Sequence, residues 1–67
     1  MAAALEILLE ALKVYEIRVI SVTDNHVKAQ NSYEIEVEEN GLYKLLDDGY
    51  ILAPFDDVNE LCLFIVT

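Results

Sequence analysis

Cysteine is nearly absent from this chain, and that absence excludes the usual supports of a small domain. The single thiol, Cys62, cannot form an intrachain disulfide. The single histidine, His26, has no second nitrogen or sulfur ligand near it in sequence, which argues against a structural zinc site. Two glycines, both in turn-like contexts, cannot build a glycine-rich phosphate loop. There is no tryptophan, and Arg18 is the only arginine, so a base-stacking platform flanked by cations is lacking. No stretch approaches the run of about 18 apolar residues that a membrane span needs.

Basic residues are scarce too. Four lysines and arginines face 13 aspartates and glutamates, for a formal net charge of −9 and a pI near 4.1. Such a charge repels nucleic-acid backbones and anionic lipid, so direct nucleic-acid or membrane binding is not expected. The first residues lack a basic segment, and Glu6 and Glu10 interrupt their apolar run, so they read as neither a secretory signal nor a transit peptide. A lone thiol without such a signal fits a reducing cytoplasm.

Apolar residues are what the chain has in quantity: 55 % of 67 residues. The length suits a single domain, residues 1–67. A body this small hides a smaller share of its surface than a larger one does. The surplus points to a protein partner or to self-association as a homo-oligomer.

The clearest structural signal is the stretch from Tyr33 to Leu46. Tyr33, Ile35 and Val37 alternate with Glu34, Glu36 and Glu38, the period of a strand with one apolar and one wet face. Asn40-Gly41 tolerates positive φ and predicts a tight turn. Leu42 to Leu46 then runs back, bringing Val37 close to Tyr43.

Around this hairpin the sequence predicts an α+β fold: an N-terminal helix, an antiparallel meander of about five short strands, and a short C-terminal helix. Helix formers fill residues 2–13, and Leu5, Leu8, Leu9 and Leu12 make one stripe, with Ile7 outside it. Tyr15 to Thr23 reads as a strand, but its alternation slips at Val19-Ile20, which means either a β-bulge or burial on both faces. Asp24-Asn25, Asn31-Ser32 and Asp47-Asp48-Gly49 are turns. His26 to Gln30 is a short returning strand, and Tyr50 to Ala53 is an apolar strand that Pro54 ends. In the tail, Asp57 with Glu60 resembles a helix start, and Val58, Leu61, Cys62 and Ile65 form a stripe, whereas residues 61–67 also suit a buried strand. The start signal favours the helix.

No residues combine into a catalytic site. The carboxylate pairs at Asp47-Asp48 and Asp56-Asp57 lack the ligand spacing of a calcium loop and read as turns and caps. Cys62, in an apolar run, reads as a buried small hydrophobe, and His26 as a solvated turn residue. No enzyme activity, cofactor, metal or small-molecule substrate is therefore expected. The expected function is a small acidic protein-interaction module, acting as a homo-oligomer or as an accessory subunit of a larger complex. The alternative is an acidic mimic that occupies a basic, nucleic-acid-binding surface of another protein. The candidate interaction residues are Ile7 on the helix, the aromatic residues Tyr33, Tyr43 and Tyr50, and the acidic ladder Glu34, Glu36 and Glu38. The tyrosines suit either a core or an interface, and the ladder is equally what any half-exposed strand presents to water.

Overall fold

A computed structural model describes residues 3–67. Its elements are α1 (Ala3–Val14), β1 (Val19–Thr23), β2 (His26–Ala29), β3 (Tyr33–Val37), β4 (Tyr43–Asp47), β5 (Tyr50–Phe55) and α2 (Val58–Val66). The strands form one antiparallel sheet in the order β1-β2-β3-β4-β5. This is the α+β meander with a helix at each end that the sequence predicts. Ala2, expected in the first helix, lies outside the described residues.

The leucine stripe of α1 does what its spacing requires. Leu8 and Leu12 are fully buried, and Leu5 and Leu9 pack at the margin of the same core. What stops α1 lies between Val14 and Val19, where the sequence predicts strand. Glu16 takes the left-handed conformation at φ 59. Its N–H donates to the Lys13 carbonyl at 3.0 Å, and the Ile17 N–H to the Leu12 carbonyl at 2.8 Å. That pair of bonds is a Schellman cap, completed by buried Ile17, which belongs to the same core cluster as Leu12. Tyr15, Glu16 and Ile17 are thus spent on the helix end, and β1 begins only at Val19.

Paired turns hold the sheet. Asn31 and Ser32, at φ 60 and 66, make a type I′ turn closed by Tyr33 N–H to the Gln30 carbonyl at 3.2 Å. Asp48 and Gly49, at φ 53 and 89, do the same between β4 and β5. The β3–β4 connection is longer than a two-residue turn. Gly41 N–H donates to the Glu38 carbonyl at 3.2 Å, and Glu38 N–H to the Leu42 carbonyl at 2.9 Å. Only Gly41 takes positive φ there, while the Asn40 side chain accepts from Leu42 N–H at 3.2 Å. This is the type I turn with a glycine bulge, and it still brings Val37 opposite Tyr43.

Both sheet edges depart from expectation. The slip at Val19-Ile20 is a bulge, since the β1–β2 register shifts between Val19 and Ser21. Burial on both faces does not occur, because all five residues of β1 are exposed. At the other edge β5 runs through Pro54 to Phe55. An edge strand pairs on one side only, so a residue without an N–H can remain in it.

The tail is a helix. The Asp57 carboxylate accepts from Asn59 N–H at 2.8 Å, and the Thr67 N–H closes the other end on the Leu63 carbonyl. Its stripe buries Leu61, Cys62 and Ile65. Helical spacing delivers these three to one face, whereas a strand would have split Leu61 from Cys62 across the sheet. Among the described hydrogen bonds none runs from Glu60 back to Asp57, so the cap is one-sided.

Substitutions at two positions test these ends. Asp57→Ala removes the cap and lowers stability by about 1 kcal/mol, read as a lower urea midpoint, while Asp57→Asn retains most of it. Glu16→Gly relieves the left-handed strain and raises stability by up to about 1 kcal/mol, read as a higher urea midpoint. A Glu16→Gly midpoint below that of the parent chain contradicts the capping role.

Candidate interaction surface

The register defines the two faces of the sheet. Val27, Ala29, Ile35, Val37, Tyr43 and Leu45 point inward and are buried. The outward positions form rows across the strands. One row is Thr23, His26, Glu36, Lys44 and Pro54; the next is Ser21, Lys28, Glu34, Leu46 and Ile51.

The acidic ladder sits in the middle of that outer face, between His26 and two lysines. His26 Nε2 lies 3.9 Å from a Glu34 carboxylate oxygen and 3.8 Å from one of Glu36. Lys44 Nζ lies 3.6 Å from Glu38, just past the end of β3, and Lys28 stands opposite Glu34 in register. His26 is therefore the first residue of β2 and not a turn residue. The face carries interleaved charges rather than a continuous anionic strip. Such cross-strand pairs contribute only a few tenths up to about 1 kcal/mol each.

The tyrosines separate into three environments. Tyr43 is 5 % exposed and belongs to the core. Its hydroxyl donates to the Ala4 carbonyl at 3.3 Å, tying the start of α1 to β4. Tyr33 is half-buried and packs against the core from the end of β3. Tyr50 is 76 % exposed at the β4–β5 turn. Ile7 is 54 % exposed on α1. The seven candidate residues thus do not converge: Glu34 and Glu36 look outward, Glu38 follows β3 beside Lys44, Tyr33 and Tyr43 face inward, and Ile7 and Tyr50 lie elsewhere on the surface.

Exposed apolar side chains lie on the sheet edges and on α2, outside the candidate residues. On β1, Val19, Ile20 and Val22 are exposed. On β5 so are Ile51 and Leu52, and on α2 so are Leu63 and Phe64; α2 meets β5 through the Phe55–Phe64 ring contact at 5.8 Å. The signal was available, because the first and last strands of a meander are its edges, and neither Val-Ile-Ser-Val-Thr nor Tyr-Ile-Leu-Ala-Pro-Phe carries a charge.

Between α1 and the loops at one end of the sheet lies a groove. Ala4, Leu5 and Val37 line it with Asp24, Glu38 and Glu39. Among the described residues no group of three or more His, Cys, Asp or Glu side chains is placed to hold a metal ion. Among the described residues no helix is long and apolar enough to cross a membrane. Comparison with known proteins finds no matching family model, no matching curated protein and no matching solved structure.

Burial pushes two ionisations up: the Tyr43 hydroxyl above its ordinary 10.0 and the Cys62 thiol above its ordinary 9.0. A folded-state value above the unfolded one means stability that is complete below the unfolded value and lost as pH rises toward the folded one. Stability should therefore decline above pH 9.0, first through Cys62 and then, above pH 10.0, through Tyr43. Urea titrations across that range check this. Tyr43→Phe should cost about 1 kcal/mol at neutral pH, for the lost hydrogen bond, and should flatten the upper part of the alkaline decline. A decline of unchanged shape in Tyr43→Phe contradicts the assignment.

Proposed function

We propose that this chain is a small acidic, non-enzymatic protein-interaction module that works as a homo-oligomer or as an accessory subunit of a larger complex. One observation carries the reading. Exposed aliphatic side chains lie on both uncharged edge strands, and α2 leaves Leu63 and Phe64 exposed as well, in a chain otherwise dense with carboxylates. An isolated exposed leucine needs no explanation, but two open strand edges with apolar flanks are what proteins ordinarily guard with charge, or use for pairing.

The mimic reading draws no support from the outer face, where His26, Lys28 and Lys44 interrupt the ladder. It rests instead on the loop end, where Asp24, Glu38 and Glu39 rim the groove.

Salt separates the two. Apolar contacts persist as ionic strength rises, whereas a complex held by carboxylates against a basic surface weakens steeply. The expected result from light scattering or sedimentation is a species heavier than one chain, unchanged between low and high salt. A monomer at every concentration removes the homo-oligomer and leaves the accessory-subunit form.

A further inference from the structure

The open edges are not equivalent. Arg18 stands immediately before β1 and Asp24 immediately after it, so the edge reads Arg-Val-Ile-Ser-Val-Thr-Asp. Strand β5 is flanked by acid at both ends, Asp47-Asp48 before it and Asp56-Asp57 after it. Charge therefore decides what each edge can meet.

Consider an edge laid antiparallel against its own copy. For β5 this sets aspartates of one chain against aspartates of the other at both ends, and like charges opposite one another destabilise a ladder. For β1, the register that places Ser21 opposite its own copy brings the Arg18 end of one strand to the Asp24 end of the other, and by symmetry does so twice. Val22 then lies beside Ile20 of the other chain on each side of the axis, so apolar side chains flank it. A mixed β1–β5 contact gains at one end what it loses at the other, and it does not close.

We infer that β1 is the self-recognition edge of this protein, and that two copies join through antiparallel β1–β1 pairing into a continuous ten-stranded sheet around a two-fold axis at Ser21. This rests on the interaction-module reading and specifies its surface. The helices stay on one side of the joined sheet, because a two-fold axis perpendicular to the sheet keeps each face with its like. Val19 and Val22, which stand on the helix-facing side and which neither helix buries, then lie along the joined edge, with Val22 nearest the axis. The bulge at Ile20 shortens the regular edge, so few backbone hydrogen bonds form and the flanking side chains carry the contact. Growth stops at one pair because the edges left over are the acid-flanked β5 strands.

Three variants of the full chain test this. Ser21→Cys puts two thiols on the same face across the axis, at the Cα spacing of directly opposed residues, which lies within disulfide range. Mild oxidation should give a covalent dimer rapidly, whereas the parent chain, with Cys62 buried, and Ile51→Cys should not. Arg18→Glu should weaken the dimer about tenfold or more, by turning two attractions into two repulsions. Val22→Lys, at a position already 44 % exposed, should abolish the dimer while circular dichroism remains native. A dimer that survives Arg18→Glu and Val22→Lys, and that Ile51→Cys alone cross-links, overturns the β1 assignment and leaves self-association standing. A parent chain that is monomeric throughout overturns both.

Discussion

Leu8 and Leu12 of α1, Leu61 and Cys62 of α2, and Val27, Ile35 and Leu45 of the sheet are fully buried in one shared cluster. With no disulfide in the chain, this single apolar layer is what the fold depends on. The Schellman cap at Glu16 and the Asp57 cap end the helices where their stripes end, and the Tyr43 hydroxyl fixes the start of α1 over β4. Every buried inward residue of the sheet lies on the three central strands. The two short helices do not bury the edges, and the exposed apolar surface of the protein follows from that shortfall.

Net charge works against this surplus. A chain at −9 repels its own copies, which keeps an apolar chain dispersed, yet the few cations are not spread evenly. Lys28, Lys44 and His26 lie among the glutamates of the outer face, and Arg18 stands beside β1. That placement leaves β5 enclosed by carboxylates and gives β1 one charge of each sign. Two edges similar in apolar content are thus distinguished by electrostatics alone.

Much of the architecture is legible in the chain because strong local signals agree with the tertiary packing. The Tyr33–Val37 alternation, the type I′ turns at Asn31-Ser32 and Asp48-Gly49, and the leucine stripe each specify one answer. The misread places are those where a neighbour decides. Glu16 is a poor residue for a left-handed cap, so the end of α1 was hidden until Ile17 was seen to bond back to Leu12. Pro54 looks like a strand end unless β5 is known to be an edge. Periodicity marked Tyr43 as inward but could not distinguish a core from an interface, because α1 and α2 supply the cover. The interaction surface was the least legible part. Alternation makes the Glu34–Glu38 ladder conspicuous in the sequence, whereas an uncharged edge is informative only once the strand order is fixed.

The central claim is that β1 is open in the free chain and covered by a second copy. Amide hydrogen exchange, resolved by strand and followed as protein concentration rises, tests it most directly. If a second copy covers β1, protection of Val19–Thr23 grows with concentration while β3 and the helices stay constant. Protection of β1 that does not change, or a concentration-dependent gain confined to β5 and α2, contradicts it.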